Sequence, residues 1–320
     1  MYAAVVNAFD APPRYETFTD PVAAEGEVIV RVMAAGLHPI VRSLANGTHY
    51  GSTAEFPFIP GVDGVGRLED GTAVYFGLSR KPFGTFAERA VTARKMCLPL
   101  PAGLDPVTAA AIANPGMSSL VALQARAQFA PGESILILGA TGTAGQLAVQ
   151  IAKRMGARRI VAAGRNREAL AKLMALGATS LVSLEAEPAA LVQTFRQELA
   201  AGGVDVVLDY LWGQPAEALL EAFSQRGLEH AAGRTRYIEI GSSAGNRISL
   251  AGATLRSSGL ELLGSGFGSA SIEQIWRALA EFFRTAAREP FHMDVKTAAL
   301  RDVEALWNSP PASARLVFQP

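Results

Sequence analysis

The sequence is poor in thiols. Cys97 is the only cysteine among 320 residues. A single thiol cannot form an intrachain disulfide, and it cannot build a metal site that needs several thiolates. The chain therefore lacks both a disulfide framework and a four-cysteine zinc lobe.

An excess of charge of either sign is also missing. The chain has 29 basic and 29 acidic residues, with a formal net charge of +0, and no block of basic residues interrupts this balance. A nucleic acid or an anionic membrane attracts proteins through clustered positive charge. We therefore expect neither of them as the main partner.

Long apolar runs are absent as well. No uninterrupted stretch approaches the roughly 20 residues of a membrane span. The first residues, MYAAVVNAFDAPPRY, show no basic region followed by an apolar segment, which is the mark of a secretory signal. We expect a cytoplasmic protein without a membrane segment.

The N-terminal third consists of short β segments separated by glycine and proline. EVIVRVMAAG (27–36) alternates, GVGRLEDGTAVYFG (64–77) contains a D-G turn, and FAERAVTARKMCLPLP (86–101) repeats the pattern. Short strands with frequent turn signals predict a small barrel or sandwich. The length of the chain favours about two domains.

The rest of the chain alternates strand and helix. SILILG (134–139) and RRIVAA (158–163) are typical of strands, and the segment between them has helical spacing. A second helix is predicted over 166–178, with Asn166 as its N-cap and Gly177 as its stop. Such repeats predict a parallel sheet covered by helices on both faces. Further predicted elements are helices near 188–200, 215–225 and in IEQIWRALAEFFRTA, and strands in SLVSL, VDVVLDY, RYIEIG, LELLGSG and RLVFQ.

A glycine-spaced turn joins the first of these strands to its helix. LILGATGTAGQLAVQIAK (136–153) carries Gly139, Gly142 and Gly145 at intervals of three and fits A-x-G-x-x-G. In a dinucleotide site the small residues permit a tight turn, close approach of a pyrophosphate and close helix packing. The pattern alone also fits a mere strand-helix turn, but a strand on each side of the helix favours the dinucleotide. The predicted cofactor contacts here are Gly139, Thr141, Gly142, Thr143, Ala144, Gly145 and Gly164.

The end of the second strand predicts which dinucleotide is bound. NAD sites carry a carboxylate about 20 residues on, whereas the 2′-phosphate of NADP is held by arginine. The sequence has Arg165, Asn166 and Arg167 there, with no acidic residue before Glu168. This pattern favours NADPH. Arg167 is equally explained as a solvated residue of the following helix.

Several stretches resemble the medium-chain dehydrogenase/reductase superfamily, and within it the zinc-free quinone oxidoreductase branch. The resemblance implies an α/β fold, in which a Rossmann doubly wound parallel sheet (116–266) is joined to a GroES-like β-rich catalytic domain (1–115 and 267–320). The stretches that carry it are EVIVRVMAAGLHP, PFIPGVDGVG, GTFAERAVTARKMCLPLPAGLDPVTAAAI, ILGATGTAGQLAVQIAKRMGA and VDVVLDYLWG.

The zinc ligands of that superfamily are missing from the matching positions. Zinc-dependent members carry G-x-C-x-x-D, then G-H-E, then a further cysteine. The chain has His38 at the first cysteine, Asp63 at the end of the second motif and Asn114 at the last cysteine. A catalytic zinc needs three protein ligands and an open position. We therefore expect no zinc.

The resemblance also implies the catalytic residues. His38 replaces the asparagine that zinc-free relatives usually carry near the nicotinamide, and it either donates to a developing oxyanion or is a structural histidine. Tyr50 falls in a loop that often lines the substrate cleft, and it is alternatively a packed loop aromatic. Asp63 either orients His38 or is a buried structural carboxylate.

Further cofactor contacts follow from the same resemblance. The segment NPGMSS is expected to open a helix and to flank the nicotinamide, with simple N-capping as the alternative for its polar residues. Leu184 replaces a tyrosine that relatives often place at the adenosine phosphate. The residues implied as contacts are Asn114, Ser118, Gly241, Ser242, Gly264 and Phe267.

The sequence thus predicts an NADPH-dependent, zinc-independent oxidoreductase that transfers hydride to a quinone, an enone or a similar activated carbonyl. A zinc-free carbonyl or alcohol oxidoreductase and a non-catalytic NADPH sensor are the alternatives. Relatives commonly form homodimers through edge strands, and LELLGSG (260–266) is the candidate edge.

Overall fold

A computed structural model of the protein describes residues 1–224, 233–309 and 314–320. The chain forms two compact units, the β-rich unit (Met1–Asn114 and Ala280–Pro320) and the parallel-sheet unit (Pro115–Leu279). The sequence prediction placed the second boundary at 266/267, whereas the structure places it at 279/280.

The first part of the β-rich unit consists of short strands joined by tight turns. In the predicted D-G turn, the Asp70 carboxylate accepts the Thr72 N–H at 2.9 Å, and Gly71 has a φ of +84°. Glycine adopts this left-handed conformation without a steric penalty. The elements are β1 (Tyr2–Val5), β2 (Arg14–Thr17), β3 (Glu27–Gly36), α1 (Pro39–Ala45), β4 (Asp63–Arg67), β5 (Ala73–Gly77), β6 (Arg89–Ala93), β7 (Cys97–Pro99) and α2 (Pro106–Val121).

Helix α2 begins earlier than the sequence prediction placed it. The Asp105 carboxylate accepts the Thr108 N–H at 2.8 Å and its hydroxyl at 2.9 Å, which caps the helix. Asn114 and Ser118 therefore lie in the helix interior, and the expectation that NPGMSS opens a helix was wrong. Proline is typical of a first helical turn, but Pro115 is tolerated here in mid-helix. The D-P-x-T pattern was the better start signal.

Helix α2 continues through a π-helical turn at Ala122–Ala127. By length and composition alone, the stretch Pro106–Ala127 is apolar enough to cross a membrane, with a mean hydropathy of 1.2. However, 67% of that window is buried inside the structure, as in the core helix of a soluble protein.

The parallel-sheet unit has a six-stranded sheet. Its order is β10-β9-β8-β11-β12-β13, with all neighbours parallel, which is the doubly wound order 3-2-1-4-5-6. The predicted α/β class is confirmed. The elements are β8 (Ser134–Leu138), α3 (Thr143–Arg154), β9 (Arg159–Gly164), α4 (Arg167–Leu176), β10 (Ser180–Ser183), α5 (Pro188–Ala200), β11 (Val206–Asp209), α6 (Gly213–Phe223), β12 (Arg234–Glu239), α7 (Gly252–Arg256) and β13 (Gly259–Gly264).

Helix α4 begins and ends where its sequence predicts. The Asn166 side chain accepts the Ala169 N–H at 2.9 Å, and Gly177 follows the helix with a φ of +126°. The helix predicted near 215–225 corresponds to α6, and residue 225 lies outside the described residues.

The C-terminal segment completes the β-rich unit. Strand β15 pairs antiparallel with β3, with Phe318 opposite Ala35, so the C-terminal strands join the seven-stranded sheet of β3 to β7, whereas β1 and β2 form a separate pair. Phe318 is 1% exposed and belongs to the core of this unit. The elements are α8 (Ile272–Arg288), β14 (Val295–Ala299), α9 (Val303–Leu306) and β15 (Arg315–Gln319).

Candidate active site

The glycine-spaced turn lies at the carboxyl end of β8. Gly139 has a φ of +85°, a conformation that residues with a Cβ rarely adopt. The N–H groups of Gly139 and Ala140 donate to the Ala163 carbonyl of the neighbouring strand at 3.0 and 2.9 Å. Gly139 thus makes the tight turn that the motif requires.

Gly145 and Gly164 provide close packing around that turn. A Cβ on Gly145 would lie 2.3 Å from the Gly139 carbonyl oxygen. A Cβ on Gly164 would lie 2.5 Å from Thr141 Cγ2, so the Thr141 side chain packs directly on the end of β9. These glycines are needed by the fold itself.

Gly142 differs from Gly145 and Gly164, because a side chain there would meet little of the protein. A Cβ there would meet only the Gly139 oxygen, at 3.4 Å, which is an ordinary contact. Gly142 is exposed and forms the N-cap of α3 without a side-chain hydrogen bond to the helix. Backbone N–H groups and the helix dipole at such an end favour a phosphate. The space above Gly142, with Thr143 and Ala144 in the first turn, suits a pyrophosphate.

A cavity of about 640 Å³ lies beside this turn and is polar. Among the residues the structure describes, Arg165 makes no hydrogen bond or ion pair, whereas Arg167 Nε pairs with Glu185 Oε2 at 3.0 Å. Asn166 is engaged as the cap of α4. The structure therefore offers one uncommitted guanidinium for a 2′-phosphate. The cavity is lined by Thr141, Arg165, Asn166, Arg167 and Glu185.

The remaining predicted cofactor residues of this unit lie on other loops. The Gly241 N–H donates to the Asp209 carbonyl at 3.2 Å, and the Ser242 carbonyl accepts the Gly245 N–H at 3.2 Å. The Gly264 carbonyl accepts Arg126 Nε at 2.8 Å. Ser118 Oγ donates a hydrogen bond to the Pro115 carbonyl. The side chain of Phe267 is 44% exposed. Asn114 is the last residue of the first segment of the β-rich unit.

The sequence analysis missed a buried carboxylate at the end of β11. Asp209 is fully buried and accepts the Leu211 N–H at 2.7 Å, the Trp212 N–H at 3.0 Å and the Tyr237 hydroxyl at 2.7 Å. These bonds fix the loop next to Gly139, whose Cβ would lie 3.3 Å from Tyr210 Cβ. The aspartate at the strand end in VDVVLDY was the available signal.

In the β-rich unit, His38 and Asp63 lie together in the interior. Their side chains are 0% and 5% exposed, and His38 Nε2 lies 3.5 Å from Asp63 Oδ1. Asp63 Oδ2 accepts the Tyr75 hydroxyl at 3.0 Å. Neither ring nitrogen of His38 has a hydrogen bond among the described residues. The sequence predicted this pair but not Tyr75.

Burial favours the neutral form of both members of this pair. Loss of solvent lowers the pKa of His38 well below 6.5, and the nearby Arg315 lowers it further. Loss of solvent raises the pKa of Asp63 to about 7, against the opposing effects of the Tyr75 hydrogen bond and Arg315. The pair therefore holds a proton on the carboxyl group at slightly acid pH.

Tyr50 has a different environment. Its side chain is 77% exposed, and its ring lies 4.1 Å from that of His49 between centroids. Tyr50 is thus an exposed loop aromatic whose ring packs against that of its neighbour His49. A catalytic role for Tyr50 stays a prediction.

The donor set at the three motif positions does not fit a catalytic zinc. His38 and Asp63 are adjacent, but no group of three or more His, Cys, Asp or Glu side chains that could hold a metal occurs among residues 1–224, 233–309 and 314–320. Three protein ligands are required. We derive no step through a metal.

The free energy of unfolding should depend on pH through Asp63. Because the folded pKa of about 7 exceeds the ordinary value of 3.8, protonation of Asp63 favours the folded state. This stabilisation is fully present below pH 3.8 and is lost as the pH rises through 7. Relative to Asp63→Asn, wild type should lose stability by up to about 1 kcal/mol per pH unit between these values. Urea titrations across that range measure the difference.

The comparison with Asp63→Asn separates this effect from that of His38, whose lowered pKa destabilises the fold as pH falls. Asp70→Asn is the matched control, since Asp70 is exposed and hydrogen bonds to Thr72 lower its pKa. A pH-independent difference between wild type and Asp63→Asn would contradict the assignment.

Comparison with known proteins gives consistent results. Residues 144–284 match the family model of the zinc-binding dehydrogenases. The chain is 26% identical to the "Probable NADPH-dependent quinone reductase tdiC" of Emericella nidulans, and the match covers 100% of both proteins. It is 28% identical to a quinone oxidoreductase of Rattus norvegicus, and that match covers 86% of the chain and 87% of the relative. It also superposes on the quinone oxidoreductase of Thermus thermophilus, whose NADPH complex is known, with a TM-score of 0.83, 29% identity and 100% coverage of both chains.

The chain is similar over its whole length to members of the medium-chain dehydrogenase/reductase superfamily. Within it, the chain is quinone-reductase-like. The Rossmann and GroES-like folds that the sequence resemblance implied are confirmed. The description of the matching family mentions zinc, but the ligands are missing from this chain at the positions that the resemblance assigns to them.

Proposed function

We propose that the protein is an NADPH-dependent, zinc-independent oxidoreductase that transfers hydride to a quinone, an enone or a similar activated carbonyl. The observation that carries the proposal is the uncommitted Arg165 beside the glycine turn. The related quinone reductases support it, since one is named as NADPH-dependent and another is known in complex with NADPH.

The parallel-sheet unit would hold the cofactor through its small residues and its amides. The first turn of α3 would bind the pyrophosphate, because Gly142 leaves room for it there. Arg165 would hold the 2′-phosphate, for which guanidinium has matching geometry. Asn114, Ser118, Gly241, Ser242, Gly264 and Phe267 remain proposed contacts on the nicotinamide side.

NADPH, when bound, would supply the hydride that an electrophilic carbon of the acceptor receives. The acceptor then carries negative charge on oxygen and requires one proton, so that each turnover consumes one reduced cofactor and one proton. The chain must stabilise this oxyanion through hydrogen bonds, since no metal site is built to do so among the described residues.

We propose that the His38–Asp63 pair supplies the proton that the acceptor oxygen requires. The carboxyl of Asp63 holds a proton below about pH 7, and the adjacent imidazole has ring nitrogens that make no hydrogen bond among the described residues. A neutral imidazole accepts a proton at one nitrogen and donates from the other. Tyr50, with its exposed phenol, is the proposed donor of a further hydrogen bond to the acceptor oxygen.

Steady-state oxidation of NADPH with a panel of quinones and enones tests the function. We expect turnover with NADPH to exceed that with NADH, and kcat to fall as pH rises above about 7 when Asp63 loses its proton. His38→Asn should lower kcat roughly tenfold and flatten this pH dependence, because an amide donates a hydrogen bond but carries no transferable proton.

An unchanged pH profile in His38→Asn would assign His38 to a structural role. Tight NADPH binding without oxidation of any acceptor would favour the sensor alternative, and reduction of simple ketones alone would favour a carbonyl reductase. A homodimer and a cytoplasmic location stay predictions. Strand β13 lies at an edge of its sheet, as the predicted pairing requires.

A further inference from the structure

An acidic side chain lies in the cavity that contains Arg165. Glu185 follows the end of β10, and β10 pairs in parallel with β9 so that Ser183 is opposite Gly164. The carboxyl ends of parallel neighbours lie at the same edge of a sheet. This register brings Glu185 to the residues that follow β9, where it lines the same cavity as Arg165.

The carboxylate of Glu185 engages the second arginine of the cluster. Arg167 Nε lies 3.0 Å from Glu185 Oε2, and the two side chains are 79% and 49% exposed. Ion pairs at such exposure are weak and screened by solvent. The pair can therefore be broken by a stronger anion that reaches Arg167.

The two cofactors would meet this pair differently. A 2′-phosphate carries negative charge, so it is attracted by Arg167 and competes with Glu185 for that side chain. The 2′-hydroxyl of NADH is neutral and can donate a hydrogen bond to a carboxylate, as in NAD sites. The same glutamate thus opposes one cofactor and not the other.

We propose that Glu185 is a specificity-determining residue, which limits the preference for NADPH by competing with the 2′-phosphate for Arg167. This inference rests on the proposed binding of NADPH at Arg165. In the structure Arg167 and Glu185 form an ion pair. When NADPH binds, Arg167 exchanges the carboxylate for the phosphate.

Replacement of Glu185 by the isosteric amide tests the competition. Glu185→Gln should lower the Kd for NADPH about fivefold, because Arg167 no longer has to leave an anionic partner. The Kd for NADH should change by less than about twofold or rise, since its ribose carries no phosphate. Fluorescence titration of the purified protein with each reduced nucleotide measures both constants without requiring turnover.

A matched control and a double variant make the test specific. Glu168→Gln removes the same charge one residue from Arg167, but Glu168 pairs with Lys172 on the exposed side of α4 and does not line the cavity. It should leave both constants within about twofold. In the Arg167→Ala background, Glu185→Gln should not increase the affinity for NADPH, because Glu185 then has no Arg167 side chain to bind.

The outcomes distinguish this inference from the proposed function. If wild type binds neither nucleotide, the proposed function fails. If wild type prefers NADPH but Glu185→Gln shifts both constants equally, or shifts neither, the inference alone fails. If Glu185→Gln increases the affinity for NADPH in the Arg167→Ala background as well, Glu185 does not act by binding Arg167. This result would also overturn the inference.

Discussion

Replacement of Arg165 by alanine is expected to weaken NADPH binding by about 30- to 100-fold. The guanidinium has no other partner among the described residues, so its loss removes a charge-assisted contact worth about 2–3 kcal/mol, or about 1.4 kcal/mol per tenfold. NADH lacks the 2′-phosphate, and its Kd should stay within about twofold. Calorimetric titration with each nucleotide gives both constants.

Arg167→Ala is the matched control for this experiment. Arg167 forms an ion pair with Glu185, so its removal should weaken NADPH binding only about threefold. Because both arginines are exposed, neither variant should alter the melting temperature. An equal loss of NADPH and NADH affinity in Arg165→Ala would show that this residue does not read the phosphate.

The second large effect is expected at the glycine turn. Gly142→Ala should leave the fold intact, since its Cβ meets only one atom, at 3.4 Å. The methyl group would nevertheless occupy the space proposed for the pyrophosphate at the start of α3. Because both cofactors contain the pyrophosphate, the affinities for NADPH and NADH should fall together, by about a hundredfold.

Gly145→Ala separates packing from binding. Its Cβ would lie 2.3 Å from the Gly139 oxygen and 2.5 Å from Ala140 Cα, so the backbone must shift, at a cost of about 2–3 kcal/mol of stability. Thermal unfolding without nucleotide should show a lower midpoint for this variant and an unchanged one for Gly142→Ala. Normal nucleotide affinity in Gly142→Ala would contradict the proposed position of the pyrophosphate.

The parallel-sheet unit was largely predictable because its signals are local. The apolar runs of β8 and β9 are buried on both faces, and the cap at Asn166 depends only on residues three apart. Such patterns arise from hydrogen bonding and burial within one strand or one helix. The glycine turn likewise follows from spacing alone.

Other features depend on contacts between distant parts of the chain. Glu185 enters the cavity only because β10 pairs with β9 in a particular register, and Tyr75 meets Asp63 across the β4–β5 pair. The start of α2 was misplaced for another reason. The family resemblance assigned the start to NPGMSS, but the helix begins at the Asp105 cap and buries the residues from Ala109 to Ala113.

The environment of His38 could not be deduced from its motif position. Its ring is pressed against the Gly36 backbone, where a Cβ would lie 2.6 Å from His38 Nε2, and Arg315 reaches the Leu37 carbonyl from the other end of the chain at 2.9 Å. This burial, rather than the residue type, lowers the pKa of His38.

Transfer of deuterium from cofactor to acceptor is the most direct measurement of the central claim. NADPH carrying deuterium at the hydride-donating position is incubated with the protein and an enone, and the product is analysed by mass spectrometry and NMR. We predict one deuterium on acceptor carbon for each NADPH oxidised, because the cofactor donates hydride directly. Saturable binding of NADPH, with no cofactor oxidation and no deuterium in any quinone, enone or carbonyl product, would contradict the account.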